Sequence, residues 1–126
     1  MKLSMVMTLN AIVAAVFGIA FVVLPDQSMA LYGVEPGAVQ AYLGQLLGSA
    51  YLTFAVLTWV GRKAADSDAR RAIVLSLFIG FAIAFVVSLL GQMNAVVNSL
   101  GWLTVVLYLL FAVAYAVFAF SKPSAG

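Results

Sequence analysis

A chain of 126 residues in which 66% of the side chains are hydrophobic and only 8% are charged cannot clothe a water-facing globule, because soluble domains carry about 25% charged residues. The composition specifies an integral membrane protein. With neither Cys nor His, thiolate and imidazole ligands and disulfides are excluded, and six Lys or Arg against four Asp or Glu, net +2, provide no basic cluster suited to nucleic acid.

An apolar helix needs about 20 residues, at about 1.5 Å each, to cross about 30 Å of hydrocarbon. Four segments reach that length, at 5–24, 38–60, 72–91 and 102–120, and none contains Asp, Glu, Lys or Arg. The first follows Lys2 and precedes the small-residue run Ser28-Met29-Ala30, an arrangement shared with secretory signals. Its apolar stretch exceeds the ~7 to 15 residues of a signal core, so a retained span is expected. Met7, Asn10, Ala14, Phe17 and Phe21 fall on one face of it. Pro25 ends the helix, and the loop 25–37 mixes Asp26 and Glu35 with Met29, Leu31 and Tyr32. A single interfacial turn with those three side chains among the headgroups is expected.

Lipid tails are as apolar as Leu, so small and polar residues, which permit close packing and interhelical hydrogen bonds, mark inward faces better than hydrophobicity does. In the second span Ala41, Gly44, Gly48 and Ala55 form one stripe and Tyr42, Gln45, Ser49 and Thr53 a second beside it, leaving Leu43, Leu47, Phe54 and Leu57 for lipid. Trp59 marks the boundary of that span. The loop 61–71 carries Arg62, Lys63, Arg70 and Arg71, with Asp66 or Ser67 available to cap the next helix. The third span sets Ser76, Gly80, Ala84, Ser88 and Gly91 against Phe78, Phe81, Phe85 and Leu89, so the small side is expected to pack and the aromatic side to meet lipid. In the last loop Asn98 or Ser99 can cap the fourth span, Trp102 anchors its end, and Gly101, Thr104, Tyr108, Ala112, Tyr115 and Ala119 share a face.

All six basic residues lie before the first span, between the second and third, or after the fourth, the last being Lys122. The positive-inside rule therefore puts both termini and the 61–71 loop in the cytoplasm. Short loops favour an all-α, up-down-up-down four-helix bundle as one transmembrane domain over residues 1–126.

Two polar layers follow from depth. Asn10 and Ser76 lie near the cytoplasmic boundary, level with Tyr115, and a buried amide needs a partner, so Asn10 is expected to pair with Tyr115 or a backbone carbonyl. In the outer half Tyr42, Gln45, Ser49, Ser88, Thr104 and Tyr108 could line a ligand pocket, with Asn94 and Asn98 at its mouth; packing glue is the competing reading of these side chains. Gly44, Gly48, Gly80 and Ala84, with Asn10 and Tyr115, are candidates for helix packing or a partner seam.

The acids stand outside the spans, so a membrane-embedded carboxylate for proton coupling is missing. Ser49 and Ser88 have no His, Lys or acid at their depth to activate them. No catalytic residue, metal or cofactor is expected.

Leu24-Pro25, Leu31-Tyr32-Gly33, Arg62-Lys63 and Asn98-Ser99-Leu100-Gly101-Trp102, set among four spans of this length, resemble small bacterial inner-membrane proteins of the DoxX-like and similar domain-of-unknown-function groups. The resemblance implies a bacterial cytoplasmic membrane and brings no catalytic residue with it. The membrane glutamate on which small multidrug transporters rely is absent. The expected role is a non-catalytic accessory or scaffolding subunit of a larger membrane assembly, in contact with lipid and with other subunits or copies of itself. The alternative is a binding protein or passive conduit for a quinone, lipid or neutral solute, using the outer polar layer.

Overall fold

A computed structural model describes residues 2–121, so Lys122 lies outside the described residues. Five helices follow one another: α1 (Leu3–Val23), α2 (Pro25–Leu31), α3 (Ala38–Gly61), α4 (Asp68–Met93) and α5 (Gly101–Phe120). All but α2 are long and apolar enough to cross a membrane. The short helix α2 is longer than the single expected turn. Pro25 occupies its first turn, where a missing N–H is harmless, and Gly33 follows at φ +79°, a left-handed conformation that glycine adopts without strain. Helix α4 starts four residues before the expected span because the Ser67 hydroxyl accepts a hydrogen bond from the Arg70 N–H at 3.1 Å.

The long helices pair as two antiparallel units. Helix α1 lies along α3, α4 lies along α5, and a smaller α1–α5 contact joins the units, while α2 folds over α1 and α3. The α1–α3 seam is made of glycine: Gly18, Gly44 and Gly48 are all buried. A Cβ on Gly48 would stand 2.8 Å from Val22 Cγ2 and 2.9 Å from the Gly18 carbonyl oxygen. Small residues thus draw these two helices together.

The second unit is built differently. Phe81 of α4 stacks on Phe111 and Tyr115 of α5 with ring centroids 5.3 and 5.9 Å apart, and Phe78 meets Phe120 edge-on at 5.3 Å. This reverses the expected orientation of α4, since its aromatic side packs on α5 and its small side is left open. Gly80 is exposed, and nothing lies within 4 Å of a Cβ built on it. Interlocked rings bury more area than a Gly-Ala-Ser face could and gain aromatic contact energy besides, so they win the interface. At the end where α1 begins, Leu3, Val6 and Met7 of α1 close against Val74 and Leu77 of α4 and Tyr115 of α5.

Candidate functional site

The two helix units meet through polar bonds that converge on one stripe of α5. Asn10 Nδ2 donates to Tyr115 Oη at 2.7 Å, with the two residues 2% and 0% exposed, so the pairing expected from their common depth is present. Two turns further along α5, the hydroxyls of Tyr51 and Tyr108 share a hydrogen bond. One turn beyond that, Tyr32 Oη and Thr104 Oγ1 lie 2.8 Å apart. Thr104, Tyr108 and Tyr115 stand on the shared face that helical spacing predicts. Their partners come from three different elements, α1, α3 and the end of α2.

Tyr32 is a correction to the reading of the outer loop. It turns inward to Thr104 and stacks against Phe21 at 6.4 Å, so only Leu31, 67% exposed, is free to face headgroups. Burying a tyrosine ring whose hydroxyl finds a partner outweighs leaving the ring at the interface. Tyr51 was not anticipated, although it lies on the Gly44, Gly48 and Ala55 stripe at helical spacing. Phe17 and Phe21 hold its ring, at 6.0 and 6.4 Å.

These bonds border three neighbouring spaces, all of which touch both Tyr51 and Tyr108. At the α2 end is a chamber of about 310 Å³, bounded by Phe21, Met29, Tyr32, Ser88, Gln92 and Thr104 together with the tyrosine pair. Between α3 and α4 runs a cleft of about 280 Å³, walled by Leu47, Tyr51, Phe54 and Leu57 on one side and Ser76, Gly80, Phe81 and Ala84 on the other. Leu47 and Phe54, each 40% exposed as expected of a lipid-facing side, and Leu57 also line this open cleft. Inside the bundle a void of about 40 Å³ touches Asn10, Tyr51, Thr104 and Tyr108, room enough for a water molecule.

Val34 of one outer loop and Val96 and Val97 of the other roof one side of the chamber, and Asn98 stitches the two loops together. The Asn98 backbone N–H donates to the Tyr32 carbonyl at 2.9 Å, and its side-chain amide donates to the Leu31 carbonyl at 2.9 Å. Its side-chain oxygen accepts from the Leu100 N–H at 3.0 Å, an Asx turn ahead of α5; the N-cap position of that helix falls to Leu100 without a side-chain cap, so the capping expected of Asn98 or Ser99 is not formed. Asn98 thus ties the two outer loops to each other. Gln92 Nε2 donates to the Asn98 carbonyl at 3.0 Å, which turns Gln92 Oε1 toward Gly101. A side chain at position 101 would overlap that oxygen, and Oε1 is buried without a hydrogen-bond partner among the described residues.

Of the outer polar layer, Ser88, Thr104 and Tyr108 border the chamber, whereas Tyr42, Gln45 and Ser49 lie exposed on another face of α3. Their polarity is met locally: Ser49 Oγ donates to the Gln45 carbonyl at 2.9 Å, and Gln45 Nε2 donates to the Val22 carbonyl at 3.2 Å. Asn94 likewise donates to the Leu90 carbonyl at 2.9 Å, at the end of α4. Gly44 and Gly48 are buried against α1 and α2, with a Cβ on Gly44 meeting Met29 and Phe21. Gly80 and Ala84 border the cleft.

At the opposite end the cations Arg62 and Arg71 have short-range partners. Arg62 stacks over the Trp59 ring, 3.6 Å from its centroid, and donates to the Trp59 carbonyl. Arg71 bonds Asp68 at 2.6 Å and lies 3.8 Å from Asp66. Among the described residues no charged side chain borders the chamber or the cleft. Comparison with protein-family models, with curated proteins and with solved structures yields no match, so the chemistry of the chamber is read from its own geometry.

Proposed function

We propose that this chain is a non-catalytic, multi-pass membrane protein that binds an uncharged amphiphile drawn from the bilayer. The polar part of the ligand sits in the chamber beneath the roof, and its apolar part lies in the α3–α4 cleft. The observation that carries this reading is that a hydroxyl-bordered chamber and an apolar cleft lie side by side, with Leu47, Tyr51 and Tyr108 in the walls of both. Sites of this kind are mostly apolar, with a few placed polar groups and volumes from about 300 Å³ upward. The bias of the six cations supports termini on the cytoplasmic side of a bacterial inner membrane.

The test is purification in mild detergent followed by extraction and mass spectrometry of bound small molecules. Wild-type protein is expected to carry a defined amphiphile, and Gly80→Leu, which fills the cleft from an open position, to lose it at unchanged helicity. An identical complement on both proteins would overturn the proposal.

One observation favours the second reading, an accessory or scaffolding subunit. The small face of α4 is unoccupied, with nothing within 4 Å of a Cβ on Gly80 or Gly91, and such faces permit close helix approach. Native mass spectrometry decides it: a stoichiometric second copy or foreign subunit supports the reading, and a lone monomer counts against it.

A further inference from the structure

We infer that the head of the bound amphiphile is a flat, uncharged ring with carbonyl oxygens on opposite edges, a quinone-type head, held by the free hydroxyl protons of the Tyr32–Thr104 and Tyr51–Tyr108 pairs. The inference rests on the binding proposal above and specifies the ligand class.

Proton counting comes first. A hydrogen bond between two hydroxyls consumes one O–H and leaves the other proton without an acceptor. Each pair, Tyr32 with Thr104 and Tyr51 with Tyr108, therefore offers one free donor. Thr104 differs from Ser49, Thr53, Thr58 and Ser76, each of which returns its proton to a carbonyl of its own helix; among the described residues Thr104 makes no such bond. A free O–H in an apolar chamber is costly until it meets an acceptor. The chamber thus selects a ligand that brings acceptor oxygens, and with no charged side chain around it it gives an ionised head nothing to repay the loss of hydration.

Spacing and depth narrow the class. Thr104 and Tyr108 are four residues apart on α5, about one helical turn, so the two pairs present donors at two levels of the chamber and favour a head with two acceptor oxygens. Helix α5 has 20 residues, about 30 Å, the thickness of the hydrocarbon core. If its first residue marks the boundary, Thr104 lies about 5 Å and Tyr108 about 10 Å below it. With no charged side chain at either level, an occupant that places oxygens there carries an uncharged head. Four aromatic side chains, Phe21, Tyr32, Tyr51 and Tyr108, border the chamber and suit a flat ring. The α3–α4 cleft accepts its tail.

The experiment uses the full chain in nanodiscs and three probes: decyl-1,4-benzoquinone, decylbenzene and a diacylglycerol. Retention is measured by quantitative mass spectrometry. The quinone is expected to bind at least about ten-fold more tightly than decylbenzene, the value of two ordinary hydrogen bonds. Removing both hydroxyls of a pair, Tyr32→Phe with Thr104→Val or Tyr51→Phe with Tyr108→Phe, should each take away about three- to ten-fold of that preference, and the variant lacking all four hydroxyls should bind both decyl compounds alike. Monodisperse elution and unchanged helicity verify that the variants fold, and Gly80→Leu should weaken both decyl probes together. Equal binding of quinone and decylbenzene to wild type overturns the head assignment but leaves the binding proposal standing. Preferential retention of diacylglycerol does the same. Failure of all three probes to bind, with Gly80→Leu indistinguishable from wild type, overturns both.

Discussion

Gly18 and Gly48 each occupy the place where the other's side chain would have to go. A Cβ on Gly18 would stand 3.0 Å from the Gly48 carbonyl oxygen, and a Cβ on Gly48 would stand 2.9 Å from that of Gly18. Because these two oxygens belong to the backbone, moving Leu52 or Val22, whose side chains stand nearer still at 2.8 Å, does not relieve the whole clash. Gly48→Ala is expected to destabilise the protein by about 1–3 kcal/mol, the range for overpacking a close contact. Gly80→Ala, at a position with nothing within 4 Å, should be neutral or stabilising by up to about 1 kcal/mol through helix propensity. Denaturation of the two variants in the same micelles checks the contrast, and equal effects would show that the α1–α3 seam is loose.

The Asn10–Tyr115 bond crosses between the helix units where both side chains are buried. A double-mutant cycle with Asn10→Leu and Tyr115→Phe should return a coupling of about 0.6–1.7 kcal/mol, the measured range for hydrogen bonds between membrane helices. Each single change should cost more than the double change implies, because it strands one polar group in an apolar core. A coupling indistinguishable from zero in detergent unfolding would mean that water satisfies both groups separately.

Asn98 holds the roof through bonds to Leu31, Tyr32 and Leu100. Asn98→Ala removes the two side-chain bonds and keeps the backbone one. Local opening should therefore rise while the long helices stay intact, since a loop can open independently of the core. Hydrogen exchange should accelerate at the amides of Gly33, Val34 and Leu100, by about ten-fold for each 1.4 kcal/mol lost, and remain unchanged at Ala112 and Tyr115. Uniform acceleration across α5 would show instead that the roof and the bundle open as one unit.

The residues themselves explain which parts of this architecture could be read in advance. Span positions follow from runs of uncharged side chains, and the burial of Gly44 and Gly48 follows from the preference for small residues at helix seams. The same preference fails for α4, where Phe81 finds Phe111 and Tyr115: partner rings elsewhere in the chain decide the matter, and no local pattern encodes them. Polarity misleads on α3 for a different reason. Ser49 and Thr53 return their hydroxyl protons to carbonyls four residues back, so a polar stripe need not face inward. Thr104 and Tyr108 could be assigned to an inner face from spacing alone, but their partners Tyr32 and Tyr51 required knowledge of how the helix units dock.

Orientation can be tested with unusual economy, because the chain has no cysteine and any introduced thiol is a unique reporter. Ala65 and Ser99 are both exposed, in loops at opposite ends of the long helices. Ala65 is flanked by Arg62, Lys63, Arg70 and Arg71, whereas the loop holding Ser99 has no basic residue. Moving four cations across the membrane is the costlier alternative, so Ala65→Cys should react with a membrane-impermeant maleimide only after permeabilisation, and Ser99→Cys should react in intact cells. Replacing Arg62, Lys63, Arg70 and Arg71 with Asn should blur that difference by admitting both orientations. Labelling of Ala65→Cys from outside intact cells would reverse the assignment and place the roofed chamber on the cytoplasmic side, where a ligand would enter from the inner leaflet.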